Sequence, residues 1–408
     1  MQEKPKQTES ESKSFFWTTL PFFIIAHAAH HFLTALPQPL LPAIRDEFKL
    51  SYTKASFIPT AFAISGATGQ LPAGWMADRV GPKLLIAVGT IGVALAGILV
   101  GFSQSFVMLI SFLLLMGLAS GGYHPAATPL ISASVKPQHR GRALGLHLIG
   151  GNSSFFIAPI IAGAVLGIWG WRGAFFTLAI PTIIFGLIFF IYLGRKSSVA
   201  HVEGVKQRIR EEQPPQPGYR RRLIAFLSMV IIGGGAGMSI LSLLTLYMTD
   251  ELGASNELAA GLPAIVFSSG VWAGPFGGYL ADKFGSVKIV IITGIFSGII
   301  IYALNFVSLG PSLYLVLFLQ GLNMAIRMPV TEVFVMGQTP AKNRSTIFGV
   351  YYSTMQYTGA IFTPLSGVII ERWGFHFCFK ATAIAVLIVA VITAFFIYDA
   401  KDNYHAEA

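Results

Sequence analysis

Five histidines, His27, His30, His31, His124 and His147, and two full charges, Arg327 and Glu332, are written into otherwise apolar text. Imidazole gains and loses a proton near neutral pH, so each histidine could carry a proton or bond a solute. The alternative is a neutral, hydrogen-bonded residue that packs neighbouring helices. His27, His30 and His31 stand at i, i+3 and i+4, on about a 100° arc of one helix, a spacing that can share a metal ligand face. No carboxylate or thiol lies nearby in sequence, and no metal and no cofactor is assigned.

Arg327 and Glu332 occur in QGLNMAIRMPVTEVFVMG. A charge in hydrocarbon costs about 2.5–3.5 kcal/mol, so it is kept where it meets a partner or a water-filled path. A structural ion pair along the helix is the plain alternative. Against it, residues five apart are separated by about 140° on a helix. Pro329 between them also removes a backbone hydrogen bond and makes a kink of the kind that accompanies sites. Arg327 is read as an anion anchor and Glu332 as a proton carrier or cation partner.

The elements that must hold these groups follow from composition. The chain has 408 residues, 54% hydrophobic and 11% charged. Roughly 20 apolar residues in a helix cross a bilayer core of about 30 Å. Such stretches recur near residues 17–43, 52–76, 84–102, 106–134, 142–169, 173–193, 222–249, 258–281, 289–307, 311–337, 345–370 and 375–398. This predicts an all-α integral membrane protein of 12 transmembrane helices, with the lipid bilayer as its first partner. The 43 glycines suit close helix contacts in a setting where apolar burial gives no drive.

The net charge of +10 does not imply nucleic acid, because the cations are sorted. Connections after even-numbered helices hold 17 of the 28 Lys and Arg, the termini 4 and the odd connections 6. Cation excess marks the cytoplasmic side, so both termini and the even loops are placed there. The first 14 residues mix both charge signs without a small-residue cleavage site, which predicts that helix 1 is retained. Cys378 is the single cysteine, so no intrachain disulfide forms. No phosphate-cradling Gly loop with a Lys is present, and GGGAG at 233–237 lies in an apolar span. The chain is not read as an enzyme.

An offset of 204 residues aligns one half of the chain with the other. It pairs Asp46 with Asp250, Ser51 with Ser255, Gly81 with Gly285, Gly117 with Gly321, Pro125 with Pro329 and Arg140 with Arg344. The expected domains are a cytoplasmic tail (1–16), a six-helix bundle (17–194), a charged, Pro-rich linker (195–221), a second six-helix bundle (222–398) and a tail (399–408). Two parallel repeats related by a pseudo-twofold axis are a recurring transporter plan that works by alternating access. Pro125 and Pro329 are expected to break helices 4 and 10 at equivalent depths, with Tyr123 and His124 facing Arg327.

GWMADRVGPK from Gly74 and GYLADKFGSVK from Gly278 are two copies of one cytoplasmic turn. Gly74 and Gly278 would allow close packing, Gly81 and Gly285 a tight turn, and Asp78 and Asp282 a contact with a helix N-terminus. With Arg79, Lys283, Arg140 and Arg344 they form the expected cytoplasmic gate. Both copies resemble the loop 2–3 signature of the major facilitator superfamily. The resemblance spans the chain, including KPQHRGRALG (136–145) and GWRGAFF (170–176). GGNSSFFIAPIIAG (150–163) is similar to the Gly-Pro motif of that family's antiporters, with Ala158 where Gly would precede Pro159. HFLTALPQPLLPAIRDEFKLS (31–51) and GGYHPAATPL (121–130) resemble fosmidomycin-resistance-type and related drug or organic-anion carriers. The helix 4 Arg of many proton-coupled exporters is missing from FLLLMGLASGGYHPAA.

The resemblance implies a monomeric, multi-pass secondary transporter of the inner or plasma membrane, exporting a small organic molecule against protons. The cationic Arg327 favours an anionic or zwitterionic solute. An anion exchanger or uptake carrier, and a non-transporting sensor of the same fold, are the alternatives. Candidate solute contacts are Arg327, His31, Tyr123, His124, Asn152, Asn323, Gln356 and Tyr351. Tyr247, Gln320 and Tyr357 also lie on spans that line the family's cavity, with interhelical bonding as their other reading. Candidate proton carriers are Glu332, His27, His30 and His147. Trp75, Trp171 and Trp373 are expected to anchor at the membrane interface.

Overall fold

Hydrocarbon cannot satisfy a backbone N–H or C=O, so apolar segments of this length close their hydrogen bonds internally as helices. The computed structural model describes residues 9–135, 139–195, 218–338 and 344–398, and among these residues it contains helices and no strands. Twelve helices match the twelve apolar stretches. They are α1 (Leu20–Thr34), α2 (Tyr52–Val80), α3 (Pro82–Gly101) and α4, the last in two pieces, Phe106–Ser120 and Tyr123–Ala133. Arg140–Arg195 is α5 and α6, joined at Gly170. Then come α7 (Tyr219–Asp250) and α8, broken into Asn256–Gly261, Pro263–Ser268 and Ala273–Phe284. Finally α9 is Ser286–Ala303, α10 is Pro311–Gly337, and Arg344–Ile397 is α11 and α12, joined at Gly374. Short helices Glu9–Thr18 and Leu41–Phe48 flank α1.

The duplication is visible in the backbone. Gly81 and Gly285 share φ 89° and begin α3 and α9. Gly170 (φ 68°) and Gly374 (φ 79°) make the two joints. Lys49 (φ 51°) and Gly253 (φ 68°) form a third pair at the same offset. A side chain at positive φ is strained, which is why five of these six positions are glycine. Ser51 and Ser255 accept from the N–H of Lys54 (3.3 Å) and Leu258 (3.2 Å), the same cap in both copies.

The copies differ at Pro125 and Pro329, where equivalent breaks were expected. α4 is interrupted at Gly121–Gly122, and Pro125 lies in the first turn of its second piece. An N–H in that turn has no helical partner to lose, so the proline is tolerated there. α10 instead runs through Pro329. Ala325 and Ile326 occupy the places of the two glycines and carry the helix across.

Packing divides the chain into two compact units. The first holds residues up to Pro37 and those from Ile64 to Lys206; the second holds Gln38–Ala63 and everything from Gln207. The sequence repeat and the packing therefore divide the chain at different points. Within the second unit, Gln38 Nε2 donates to the Leu241 carbonyl (2.6 Å) and Thr245 Oγ1 to the Gln38 carbonyl (3.1 Å). Thr60 Oγ1 also donates to the Ala360 carbonyl (3.2 Å). These bonds tie the stretch after α1 to α7 and α11. The first unit's core includes Phe22, Phe23, Phe189 and Tyr192; the second's includes Phe226, Phe334 and Tyr351.

Two packing expectations need correction. Trp171 is 3% exposed and packs against Phe175, so the indole is a core residue and not an interfacial anchor; Trp75 and Trp373 are exposed. A Cβ on Gly278 would meet nothing within 4 Å, so that glycine does not mediate a close approach. Its neighbour Gly277 does, since a methyl there would collide with the Ile326 backbone of α10. Gly277→Ala is therefore expected to destabilise the protein by about 2 kcal/mol. Gly278→Ala should leave the thermal midpoint in detergent unchanged, and equal midpoints for the two variants would refute this account.

Candidate functional site

In the first unit, the three histidines of α1 meet α3, α4 and α5. His27 and His30 are buried and His31 is half-buried. His27 Nδ1 lies 2.9 Å from the His147 carbonyl, and His30 Nδ1 lies 2.5 Å from the Gly89 carbonyl. Gly89 belongs to a π turn, Val88–Gly92, inside α3, and widened turns of this kind recur at functional sites. A Cβ on Gly89 would sit 2.6 Å from that of Tyr123, so glycine also lets α4 approach. His30 Nε2 is 3.4 Å from Ser120 Oγ, and His31 Nδ1 is 3.1 Å from Thr34 Oγ1.

The rings form one cluster. His27 stacks on His147 with centroids 4.2 Å apart and lies 4.8 Å from His31 and 5.0 Å from His124. His30 and His31 are 4.6 Å apart, and His31 and His124 5.3 Å. The gap in α4 at Gly121–Gly122 brings His124 to this place, a role for the glycines that helix periodicity does not reveal. Tyr123 is fully buried, stacks on His27 and His30, and donates its hydroxyl to the Phe23 carbonyl (3.1 Å). That bonding makes it a wall of the cluster and leaves His31 and His124 as the accessible imidazoles. Asn152 is exposed on α5.

The second unit carries Arg327 and Glu332 on α10, both half-buried. Arg327 makes no ion pair or hydrogen bond among the described residues, where the ion pairs are those of Arg45 with Asp46 and Asp250. Tyr351 is 2% exposed, with its hydroxyl 2.9 Å from Thr331 Oγ1. Asn323 is buried and donates to the Thr293 carbonyl (3.2 Å), and Tyr247 to the Leu304 carbonyl (2.7 Å). These three act in helix packing. Gln320, Gln356 and Tyr357 are half-buried.

In the turn motif, Gly81 and Gly285 take the positive φ that the tight turn requires. The Arg79 guanidinium lies over the Trp75 ring at 3.9 Å, and Lys283 lies 5.7 Å from the Tyr279 ring. Position 74 and the side chains of Asp78, Asp282, Arg140 and Arg344 lie outside the described residues.

Sequence reading missed a second polar centre. Arg45 grips the Asp250 carboxylate with two nitrogens, Nη1 on Oδ2 and Nη2 on Oδ1 (2.9 Å), and also bonds Asp46 (2.8 Å). Tyr52 donates to the same carboxylate (2.6 Å), and so does Thr249 (2.9 Å). The only signal was that the repeat writes RDE at 45–47 and TDE at 249–251, a cation in one copy and none in the other. Burial alone would raise the Asp250 carboxyl, but the bonds from Arg45 and Tyr52 outweigh it and hold it below its ordinary value.

Apolar helices long enough to cross a membrane, with imidazoles and a guanidinium held inside them, define an integral membrane protein with a polar interior. The family model described as Major Facilitator Superfamily matches residues 23–271 and 225–407, and the chain belongs to that family. It is 29% identical over 335 residues to the multidrug resistance protein MdtG of Salmonella paratyphi C, covering 78% of this chain and 79% of that one. Against MdtG of Salmonella arizonae it is 30% identical over 330 residues, with the same coverage. The fold is similar to a POT family transporter in complex with a thioalcohol-conjugated peptide (TM-score 0.79, 15% identity, 94% of this chain and 97% of that one). It is also similar to a bacterial homologue of the human lysosomal transporter Spinster (TM-score 0.76, 16% identity, 95% and 97%).

The Arg45–Asp250 pair should stabilise the protein in a pH-dependent way. A lowered carboxyl contributes stability above its unfolded value of about 4, and that stability is lost as pH falls through the folded value. Asp250→Asn is expected to cost about 1 kcal/mol at pH 7. The gap to wild type should close below about pH 4 in thermal unfolding. A gap that persists in acid would show that the carboxylate charge is not what holds Arg45.

Proposed function

We propose that this protein exports a small anionic or zwitterionic organic solute by alternating access, driven by protons. The observation that carries the reading is Arg327, a cation within a membrane helix that no described residue neutralises. A guanidinium within a membrane helix costs about 2.5–3.5 kcal/mol on insertion scales. It is retained where an arriving anion gains a charge-assisted, bidentate contact. Glu332, five residues further along α10, is assigned the proton, with His27, His30 and His147 as further carriers. His31 and His124 are the solute contacts of the first unit, and Asn152 and Gln356 are polar residues near solute. Relatives named as multidrug resistance proteins support export of a drug-like molecule. The protein is proposed to act as a monomer in the inner membrane, as six-helix halves 17–194 and 222–398 joined by 195–221, with both termini cytoplasmic. Asp78, Arg79, Asp282, Lys283, Arg140 and Arg344 are assigned to its cytoplasmic gate.

Arg327→Ala should weaken binding of an organic anion at least tenfold, or about 1.4 kcal/mol, measured as ligand-induced thermal stabilisation. Unchanged affinity would remove Arg327 as the anchor. In proteoliposomes, Glu332→Gln should abolish flux driven by a pH gradient and spare solute exchange. Gradient-driven flux that survives the substitution would end the Glu332 assignment, and wild-type exchange without any gradient response would favour an anion exchanger.

A further inference from the structure

We infer that His27, His31 and His124 form a binding site for one divalent first-row transition-metal ion of the Zn2+ type, through one ring nitrogen each. Each residue offers a ligand atom, and these atoms all lie within 4.8 Å of one another. Four-coordinate Zn2+ with bonds of about 2.0–2.1 Å needs its nitrogens about 3.3 Å apart. Metal binding therefore requires the rings to draw together by side-chain rotation. His27 and His31 are i and i+4 on α1, the spacing that puts two imidazoles on one helix face. His124 joins them from α4, in the first turn after the interruption at Gly121–Gly122.

The orientation of the rings supports metal over simple packing. A carbonyl can only accept, so the bond between His27 Nδ1 and the His147 carbonyl places a hydrogen on Nδ1 and a lone pair on Nε2. That Nε2 is buried and has no hydrogen-bond partner. His31 Nδ1 lies 3.1 Å from Thr34 Oγ1, whose hydroxyl also reaches the His31 carbonyl (3.4 Å); with the hydroxyl hydrogen on that carbonyl, Nδ1 donates and the Nε2 lone pair is available. Metal-bound histidines are held in this way, with the second nitrogen donating to an oxygen that fixes tautomer and tilt. Gly151 leaves room for the His27 ring, since a Cβ there would lie 2.7 Å from Nε2. His30 is excluded as a ligand because its nitrogens face the Gly89 carbonyl and Ser120.

Neutral imidazole donors select Zn2+, Co2+, Ni2+ or copper over Mg2+ and Ca2+. Three of them leave the ion's two positive charges uncompensated and one position open. Water, hydroxide or an oxygen of an anionic molecule would fill it.

A bound ion would take the ring nitrogens of His27, His31 and His124 in place of the proton and solute roles assigned to them above, but the inference does not depend on Arg327 or Glu332, because the test measures binding alone. Full-length protein in detergent, with any affinity tag removed, is titrated with Co2+ while the visible bands of tetrahedral Co2+ are followed. Zn2+ affinity is measured by competition with a chromophoric chelator. One equivalent is expected, with Zn2+ raising the thermal midpoint of the wild type. His31→Ala and His124→Ala, both at half-buried positions, should each lower Zn2+ affinity more than tenfold, while the exposed His376→Gln leaves it unchanged. His31→Gln serves if His31→Ala does not fold. Wild-type protein that takes up no Zn2+ overturns the site, and so does Zn2+ binding that the His31 and His124 substitutions leave intact.

Discussion

Everything in this molecule is arranged around the cost of leaving a polar group unsatisfied in hydrocarbon. Backbone amides meet that cost by closing into helices, which is why the described apolar stretches are mostly helical. The same cost decides where the helices stop. At Gly81, Gly285, Gly170 and Gly374 the chain turns at positive φ, a conformation in which a side chain would be strained. It also decides which polar side chains survive within the spans. Thr and Ser there bond back to their own helices, as Thr90 Oγ1 does to the Ile86 carbonyl at 2.6 Å and Thr293 Oγ1 to the Ile289 carbonyl at 2.7 Å.

Against that background the two copies of the repeat separate backbone from chemistry. Where geometry is demanded they agree, as in the caps at Ser51 and Ser255 and the paired glycines. Where chemistry is placed they differ. At the offset of 204, Tyr123 corresponds to Arg327, His147 to Tyr351 and Arg45 to Thr249. One position is thus a buried tyrosine that walls a histidine cluster in the first copy and an intramembrane cation in the second. Duplication preserves the turns that fold the chain, and it leaves each copy's interior side chains free to diverge.

Outside the spans the accounting changes, because water solvates what hydrocarbon does not. The Arg45–Asp250 pair sits at helix ends, with side chains 15% and 21% exposed, and gathers Asp46, Tyr52 and Thr249 around it. A bidentate pair that is partly shielded and shares its carboxylate with further donors is stronger than an isolated surface pair. It fixes Gln38–Ala63 in the second unit, although sequence similarity assigns that stretch to the first copy.

The fold class, the twelve helices, the repeat and its turns were legible in the amino-acid order, because apolar length and glycine position are local properties. So was the oddity of Arg327, since a lone cation in apolar text needs no partner to be noticed. The roles of individual polar residues were less legible. Tyr123, Asn323 and Tyr351 are candidate solute contacts by family resemblance and by the spans they lie on, yet each is buried with its polar group bonded. Trp171 reads as an anchor and is core. The equivalence of Pro125 and Pro329 failed because the effect of a proline depends on whether its N–H would have had a partner, which the neighbouring glycines decide. Amino-acid order alone determined that this chain crosses a membrane as a duplicated set of helices. Only the tertiary structure decided which imidazoles of α1 meet those of other helices and which acid grips Arg45, because those encounters join residues 93 to 205 positions apart, and periodicity carries no information over such distances.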